Sequence, residues 1–286
     1  MEHPSKNLLL VQDLSCVGRC SLTVALPVLA CMGVCVVPFP TMLLSAHTGF
    51  EKVYKRDLTD DLASILHHFE TLDLKMDAVF VGYLAGAGQL PVIQRALSHF
   101  MKGNTKLYVD PIMGDDGRLY SGITKDMVEG FRSLCRRADI IFPNRTEAAF
   151  LLEETDTAEP AENILPKLLH LGAKAAVLTG VAGEKETIGA AGLEDGGTVH
   201  SAFAPKYPGR FHGTGDLFSS VVVGGALNGW PLGKSVDLAV RFIDECLKRA
   251  PSAPQERLYG VPFEQALPFL ASAVHGGRAQ GDGMCP

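Results

Sequence analysis

Hydrophobic positions along the chain fall into two alternating kinds of run. Short apolar stretches rich in β-branched residues read as strands: Leu8–Val11, Val34–Val37, Ala78–Val81, Leu107–Val109, Ile140–Phe142 and Ala176–Leu178. Between them, apolar residues three or four apart predict helices over 58–70, 89–102, 124–136, 145–153 and 161–171. Leu22–Met32 reads as a further helix closed by Gly33, and Pro38-Phe39-Pro40 is expected to end the second strand. Near-continuous apolar strands separated by helices imply a mainly parallel sheet covered on both faces, a three-layer α/β/α sandwich. Glu186–Leu193 and Thr198–Phe203, joined by Glu194-Asp195-Gly196-Gly197, predict an antiparallel hairpin added to that sheet. Helices follow at about 214–228, 235–249 and 262–274. With no repeat and no linker, the pattern predicts a single domain over residues 1–274. From His275 to 286, four glycines and no apolar period predict a disordered tail.

Composition narrows the function. The chain has 286 residues, 47% apolar and 20% charged, with a formal net charge of -6, which argues against a nucleic-acid or anionic-membrane surface. No apolar run approaches the ~20 residues of a membrane span, and the segment Met1–Lys6 lacks the layout of a signal peptide, so a cytoplasmic protein is expected. Cys16, Cys20, Cys31 and Cys35 form two C-x3-C pairs. Structural zinc sites favour C-x2-C knuckles on turns, whereas Cys20–Gly33 reads as one helix, so these are taken as small buried thiols.

Ligands of open parallel sheets bind beyond the carboxyl ends of the strands, and polar residues recur there. Gln12-Asp13, Gly82-Tyr83, Asp110-Pro111, Pro143-Asn144 and Thr179-Gly180 each follow a predicted strand, although turn chemistry favours the same residues. The most informative segment is Gly213-Thr214-Gly215-Asp216, which opens the apolar helical run Leu217–Leu227. Unpaired N–H groups and the helix dipole at such a start favour an anion. An acid there is placed to take a proton from an alcohol while the amides hold a phosphoryl group. Alone, the segment also reads as a glycine-rich cap with a first-turn acid. Two decoys fall away. Gly229–Ser235 has three residues between its glycines where a Walker loop has four, and it follows a helix, so Ser235 is expected near an N-cap. Gly82–Gly88 lacks the third glycine of a dinucleotide fingerprint. No H-E-x-x-H or G-x-S-x-G motif occurs.

Taken in order, the motifs resemble the ribokinase-like superfamily and its vitamin kinase branch. Asn144-Arg145-Thr146-Glu147 is similar to its N-x-x-E motif, and Asp110-Pro111-Ile112-Met113-Gly114 to the D-P-V-M-G of pyridoxal and hydroxymethylpyrimidine kinases. Ser45-Ala46-His47-Thr48-Gly49 resembles the S-N-H-T of pyridoxal kinases, and Gly82-Tyr83-Leu84 their G-Y-L. The resemblance runs from about residue 7 to 275. Only about twenty residues separate the first two strands, too few for a sugar-kinase lid. Asp216 stands where hydroxymethylpyrimidine kinases commonly carry cysteine, which favours a B6 vitamer as substrate. Asp13 and Cys16-Val17-Gly18-Arg19 depart from the usual pattern beside the ring.

The resemblance implies ATP-dependent phosphorylation of the 5′-hydroxymethyl group of pyridoxal, pyridoxamine or pyridoxine, in salvage of pyridoxal phosphate. A hydroxymethylpyrimidine kinase and a catalytically silent B6-binding protein are the alternatives. It implies Asp216 as base, with the amides of Gly213, Thr214 and Gly215 as the anion hole. Asp110 and Glu147 would hold Mg²⁺, and Asn144 and Thr179 would face ATP. His47, Thr48 and Tyr83 would meet the pyridine ring from a loop spanning Pro38–Tyr54 and its neighbour, and Asp13 the ring nitrogen or 3-hydroxyl. Lys206 and Arg210 would neutralise phosphates. A homodimer is implied, and a monovalent cation is left open.

Overall fold

The structure is a computed structural model that describes residues 5–154 and 159–276. In chain order its elements are β1 (Lys6–Ser15), α1 (Leu22–Cys31), β2 (Val34–Leu44), β3 (Lys55–Asp57), α2 (Thr59–Thr71), β4 (Ala78–Val81) and α3 (Leu90–Phe100). Next come β5 (Lys106–Val109), β6 (Gly114–Asp115), β7 (Arg118–Leu119), α4 (Lys125–Cys135), β8 (Ile140–Ile141), α5 (Arg145–Leu152) and α6 (Ala161–His170). The last are β9 (Ala175–Ala182), β10 (Thr187–Glu194), β11 (His200–Pro205), α7 (Thr214–Leu227), α8 (Leu232–Leu247), α9 (Pro254–Arg257) and α10 (Leu267–Gly276).

Nine strands form one sheet in the order β11-β10-β9-β8-β5-β4-β1-β2-β3, with β6 and β7 a separate hairpin. The six central strands, β9 to β2, pair in parallel, and β3, β10 and β11 add antiparallel edges. This is the expected mainly parallel α/β sandwich. Alternation along each strand divides the core into two layers. Leu8, Leu10, Phe80 and Tyr108 face α1, α7 and α8, whereas Leu9, Val11, Val79 and Leu107 face α2 through α6. Strand order reverses around β1, which lies between β2 and β4. The carboxyl ends of β1 and β4 therefore flank the crevice where such sheets bind ligands.

Several boundaries differ from the sequence reading. β1 continues to Ser15, because its ladder with β2 resumes after a register shift between Gln12 and Leu14. Gln12 and Asp13 thus sit in the strand at an irregularity that re-aims side chains, not beyond its end. β2 runs through Pro38 and Pro40 to Leu44. The two prolines lie on the same side of the strand, and β3 covers that edge only from Met42 onward, so their missing N–H groups break no ladder bond there. The loop expected over Pro38–Tyr54 is consequently shorter, covering 45–54. β9 likewise continues past Thr179 and Gly180 to Ala182, with an irregularity opposite Gly189/Ala190. Cys20 precedes α1 instead of lying in it. α8 begins at Leu232, and Ser235 is buried in its first turn with its hydroxyl donating to Pro231 O at 3.2 Å, so it caps nothing. α10 extends two residues beyond the expected boundary, to Gly276, while the rest of the expected tail, 277–286, lies outside the described residues. β3, the β6/β7 hairpin and α9 were not expected. They are too short to carry a hydrophobic period.

The β6/β7 hairpin sits beside α5 and tolerates no side chain at its first residue. A Cβ on Gly114 would lie 2.2 Å from the backbone oxygen of Arg118, which the ladder holds in place. Gly114→Ala is expected to lower the unfolding free energy in urea by about 1–3 kcal/mol, the usual cost of overpacking.

Candidate active site

The site is assembled at the N-terminus of α7. Gly213 has φ 85°, in the left-handed region, and a Cβ there would lie 2.0 Å from Arg19 O, so only glycine fits. No side chain caps the helix, which leaves its first-turn amides facing outward, and a Cβ on Gly215 would meet only open space. Asp216 follows in that turn. Its two oxygens have separate partners: the Gln12 amide donates to Oδ1 at 2.8 Å, and the Ser21 backbone N–H donates to Oδ2 at 2.9 Å. Ser21 reaches this position with φ 54°, a left-handed conformation unusual for serine. Burial pushes the Asp216 carboxyl up to about 7, aided by the charge of Asp13 and opposed by the Ser21 and Gln12 donors.

Asp13 is buried next to this pair and accepts from Ser15 Oγ at 3.2 Å, and burial holds its carboxyl above the ordinary range. The neighbouring thiol of Cys20 is pushed up to about 12 by burial and by the Asp216 and Asp13 charges, which keeps it protonated and unreactive. Tyr83 is half-buried. Its backbone N–H donates to Gln12 Oε1 at 2.7 Å, its carbonyl accepts from Thr41 Oγ1 at 2.9 Å, and burial and Asp13 raise its phenol.

The 45–54 loop is tied down through His47. Nε2 lies 2.5 Å from Leu258 O, Nδ1 accepts from the Gly49 N–H at 3.0 Å, and the ring lies against His212 and Phe50. Gly49's N–H can only donate, which fixes the tautomer with the proton on Nε2. Both nitrogens are engaged within the protein, so His47 holds the loop to the segment after α9 and has no nitrogen left for a ring substituent. That departs from the expected contact. Thr48, one residue on, is exposed. Phe50 packs edge-on against Tyr259 in the same closure.

On the other flank, Asp110 ends β5 and Glu147 lies in the first turn of α5. Asn144 and Glu147 form a capping box: the Asn144 side chain accepts from the Glu147 N–H at 2.9 Å, and Glu147 Oε2 accepts from the Asn144 N–H at 2.8 Å. Glu147 Oε1 accepts from Met113 N–H at 3.1 Å, and Asn144 Nδ2 donates to Gly114 O at 2.8 Å, so one helix start fixes the Asp110–Gly114 segment. Burial pushes Glu147 up to about 8 against those backbone donors, and burial together with the charges of Glu147 and Asp216 raises Asp110 well above a carboxylate's usual value. Thr179 bridges to Asn144 across β9 and is half-buried. Arg210 is exposed and paired with Asp116 at the β6/β7 tip, while the backbone N–H of Lys206 donates to Glu186 O just before β10.

Asp13, Asp216, Gln12, Tyr83 and Asp110 thus converge along the switch-point crevice, with Glu147, Asn144 and Thr179 beside it. From the sequence Gln12 reads only as a polar strand-end residue and Ser21 is not singled out, since their contacts with Asp216 span most of the chain. Arg132 was missed as well. It is buried on α4, and its guanidinium donates to Leu151 O and Phe150 O, which caps the far end of α5. An arginine among apolar α4 positions was its only signal.

A glycine-led, uncapped helix start with an acid in its first turn, set beside a parallel sheet of this order, is the arrangement of a kinase of the ribokinase-like superfamily. The chain belongs to the phosphomethylpyrimidine kinase family, whose profile matches residues 29–258. It is similar to the crystal structure of pyridoxal kinase from Lactobacillus plantarum, with 32% identity, a TM-score of 0.85, and 95% of this chain and 98% of that one covered. A pyridoxal kinase from Arabidopsis thaliana is 29% identical over 76% of this chain and 74% of its own length. Pyridoxal kinase from Leishmania donovani in complex with ADP and pyridoxamine has the same fold, with a TM-score of 0.80, 22% identity, and 93% and 96% covered.

The raised Asp216 carboxyl predicts a stability effect of definite sign. The folded state holds this proton up to about pH 7, whereas the unfolded chain releases it near 3.8, so the stability from protonation is full below 3.8 and lost as pH rises to 7. Asp216→Asn removes that loss. The unfolding temperature of the variant minus that of the wild type, measured calorimetrically, is expected to increase between pH 4 and pH 8.

Proposed function

We propose that this chain transfers the γ-phosphoryl group of ATP to the 5′-hydroxymethyl group of a B6 vitamer. The observation that carries the reading is Asp216: a carboxylate titrating near neutrality, oriented by two N–H donors, in the first turn of an uncapped helix. A base works best when its pKa lies near the operating pH, and Asp216 meets that condition. In the proposed reaction Asp216 accepts the hydroxyl proton as the substrate oxygen attacks phosphorus. The amides of Gly213, Thr214 and Gly215 stabilise the charge on the phosphoryl group in transit, where most of the rate gain in such transfers lies. Asp13, Thr48 and Tyr83 line the ring side, Tyr83 with its half-buried phenol and Asp13 as acceptor for a ring N–H or 3-hydroxyl. Asn144 and Thr179 face the nucleotide. His47 acts by holding the 45–54 loop in place. The Lactobacillus and Arabidopsis similarities support the vitamer, and the ADP and pyridoxamine of the Leishmania structure support the pair of substrates.

The acidic residues fit Mg²⁺. Asp110 and Glu147 are hard oxygen donors, buried together, with no basic side chain among their hydrogen-bond or ion-pair partners in the described residues. Mg²⁺ is commonly held by one or two carboxylates together with substrate phosphates. Asp110 would bind the ion directly and Glu147 through water, since both Glu147 oxygens already accept backbone N–H groups. When bound, the ion neutralises phosphate charge. The same reading includes a cytoplasmic homodimer, for which sedimentation at assay concentration is the direct check.

The deciding experiment compares initial rates on pyridoxal, pyridoxamine, pyridoxine and hydroxymethylpyrimidine at one ATP and Mg²⁺ concentration. The highest kcat/KM is expected on a B6 vitamer; preference for hydroxymethylpyrimidine would assign the rival activity that the family's name carries. Asp216→Asn is expected to lower kcat by about 10²–10⁴-fold with substrate binding retained. Glu147→Gln replaces one accepting oxygen with a donor, and is expected to raise the Mg²⁺ concentration giving half-maximal rate. An unchanged magnesium titration would reduce Glu147 to its capping role.

A further inference from the structure

We propose that Gln12 is the positioning residue for the catalytic base, an amide locked in one orientation so that its NH2 group faces Asp216. This rests on reading Asp216 as the base and adds the device that aims it. The orientation follows from donors and acceptors. The backbone N–H of Tyr83 can only donate, so the Gln12 atom 2.7 Å from it is the oxygen. The amide nitrogen then lies 2.8 Å from Asp216 Oδ1. A flipped amide would oppose two donors at Tyr83 and two acceptors at Asp216, losing both bonds at once. Gln12 is 3% exposed, so water cannot replace either partner easily.

Gly82 completes the lock. A Cβ at that position would lie 1.6 Å from Gln12 Oε1, so the absence of a side chain makes room for the amide. Gly82 is itself held by its N–H donating to Val11 O at 2.8 Å. The Tyr83 carbonyl accepts from Thr41 Oγ1, and the Gln89 amide donates to Thr41 O at 2.8 Å and accepts from the Ala85 N–H. A series of fixed dipoles therefore runs from the turn after β4 through Gln12 to the base.

The second donor explains why Gln12 is needed. The Ser21 N–H fixes Oδ2, and with one donor alone the carboxylate can rotate about its Cβ–Cγ bond. A donor on each oxygen fixes its plane. Asp13, Cys20, Asp110 and Tyr120 act on or feel the Asp216 charge, yet none of them donates a hydrogen bond to it. Gln12 is the one side chain among the described residues that does.

The test uses two variants that disturb the lock from opposite sides, assayed with pyridoxal and ATP–Mg²⁺. Gln12→Met keeps the approximate size, adds no charge, and removes the donor to Asp216 together with the acceptor for Tyr83. It is expected to lower kcat by about 10–100-fold, the penalty for a misplaced catalytic group, with both KM values within about twofold of wild type. Gly82→Ala leaves the chemistry of Gln12 intact and displaces it sterically, and the same kind of kcat loss is expected. Because both act through one contact, the double variant should lose no more than the worse single one. Wild-type kcat in both single variants, losses that multiply in full, or a kcat loss matched by rises in both KM values would overturn the proposal. Asp216→Asn separates the two readings. Full turnover in that variant removes the base itself, whereas an inactive Asp216→Asn beside an unaffected Gln12→Met removes only the role of Gln12.

Discussion

The arrangement depends on buried acids that, among the described residues, have no Lys or Arg partner. Asp13, Asp110, Glu147 and Asp216 all carry carboxyls held above their ordinary values, and in each case burial is the largest cause. What makes them usable is neutral donors: backbone N–H groups of Ser21, Met113 and Asn144, and the side chains of Gln12 and Ser15. Donors of this kind oppose the desolvation without neutralising the charge. The negative field is left unquenched, which is what the proposed Mg²⁺ site requires. Lysines in the same places would quench it.

The contacts to Asp216 are set in place at irregularities of the backbone. The shift in β1 between Gln12 and Leu14 interrupts its pairing with β2, and the left-handed Ser21 turns its N–H toward α7. Gly213 lets the start of α7 approach Arg19, where any side chain would collide. Regular secondary structure supplies the frame, and departures from it supply the contacts to Asp216.

Local patterns were therefore legible and long-range ones were not. The apolar runs located the six parallel strands: Leu8–Val11, Ala78–Val81, Leu107–Val109 and Ala175–Leu178 are buried throughout, while β2 was found although it exposes Cys35. The Gly213–Asp216 and Asn144–Glu147 segments were readable because a cap and its helix lie within four residues. Gln12 and Ser21 meet Asp216 across 204 and 195 residues, and no spacing rule connects them. Prolines misled the reading of β2, because whether a missing N–H matters depends on which neighbour lies on that side. His47 was placed with the ring by its motif. Its engagement with Leu258 O depends on a segment more than two hundred residues away.

The two rims of the sheet differ in what they offer another chain. At one rim β3 presents Lys55, Arg56 and Asp57, all exposed, and three charged residues are a poor template for a further strand. At the other, β11 has six residues with Phe203 exposed at its centre, and it lacks that charged guard. During synthesis β11 emerges late, and its pairing with β10 leaves one edge unpaired. Association of partly folded chains would therefore begin at the β11 rim, the side of the sheet farthest from the charged strand.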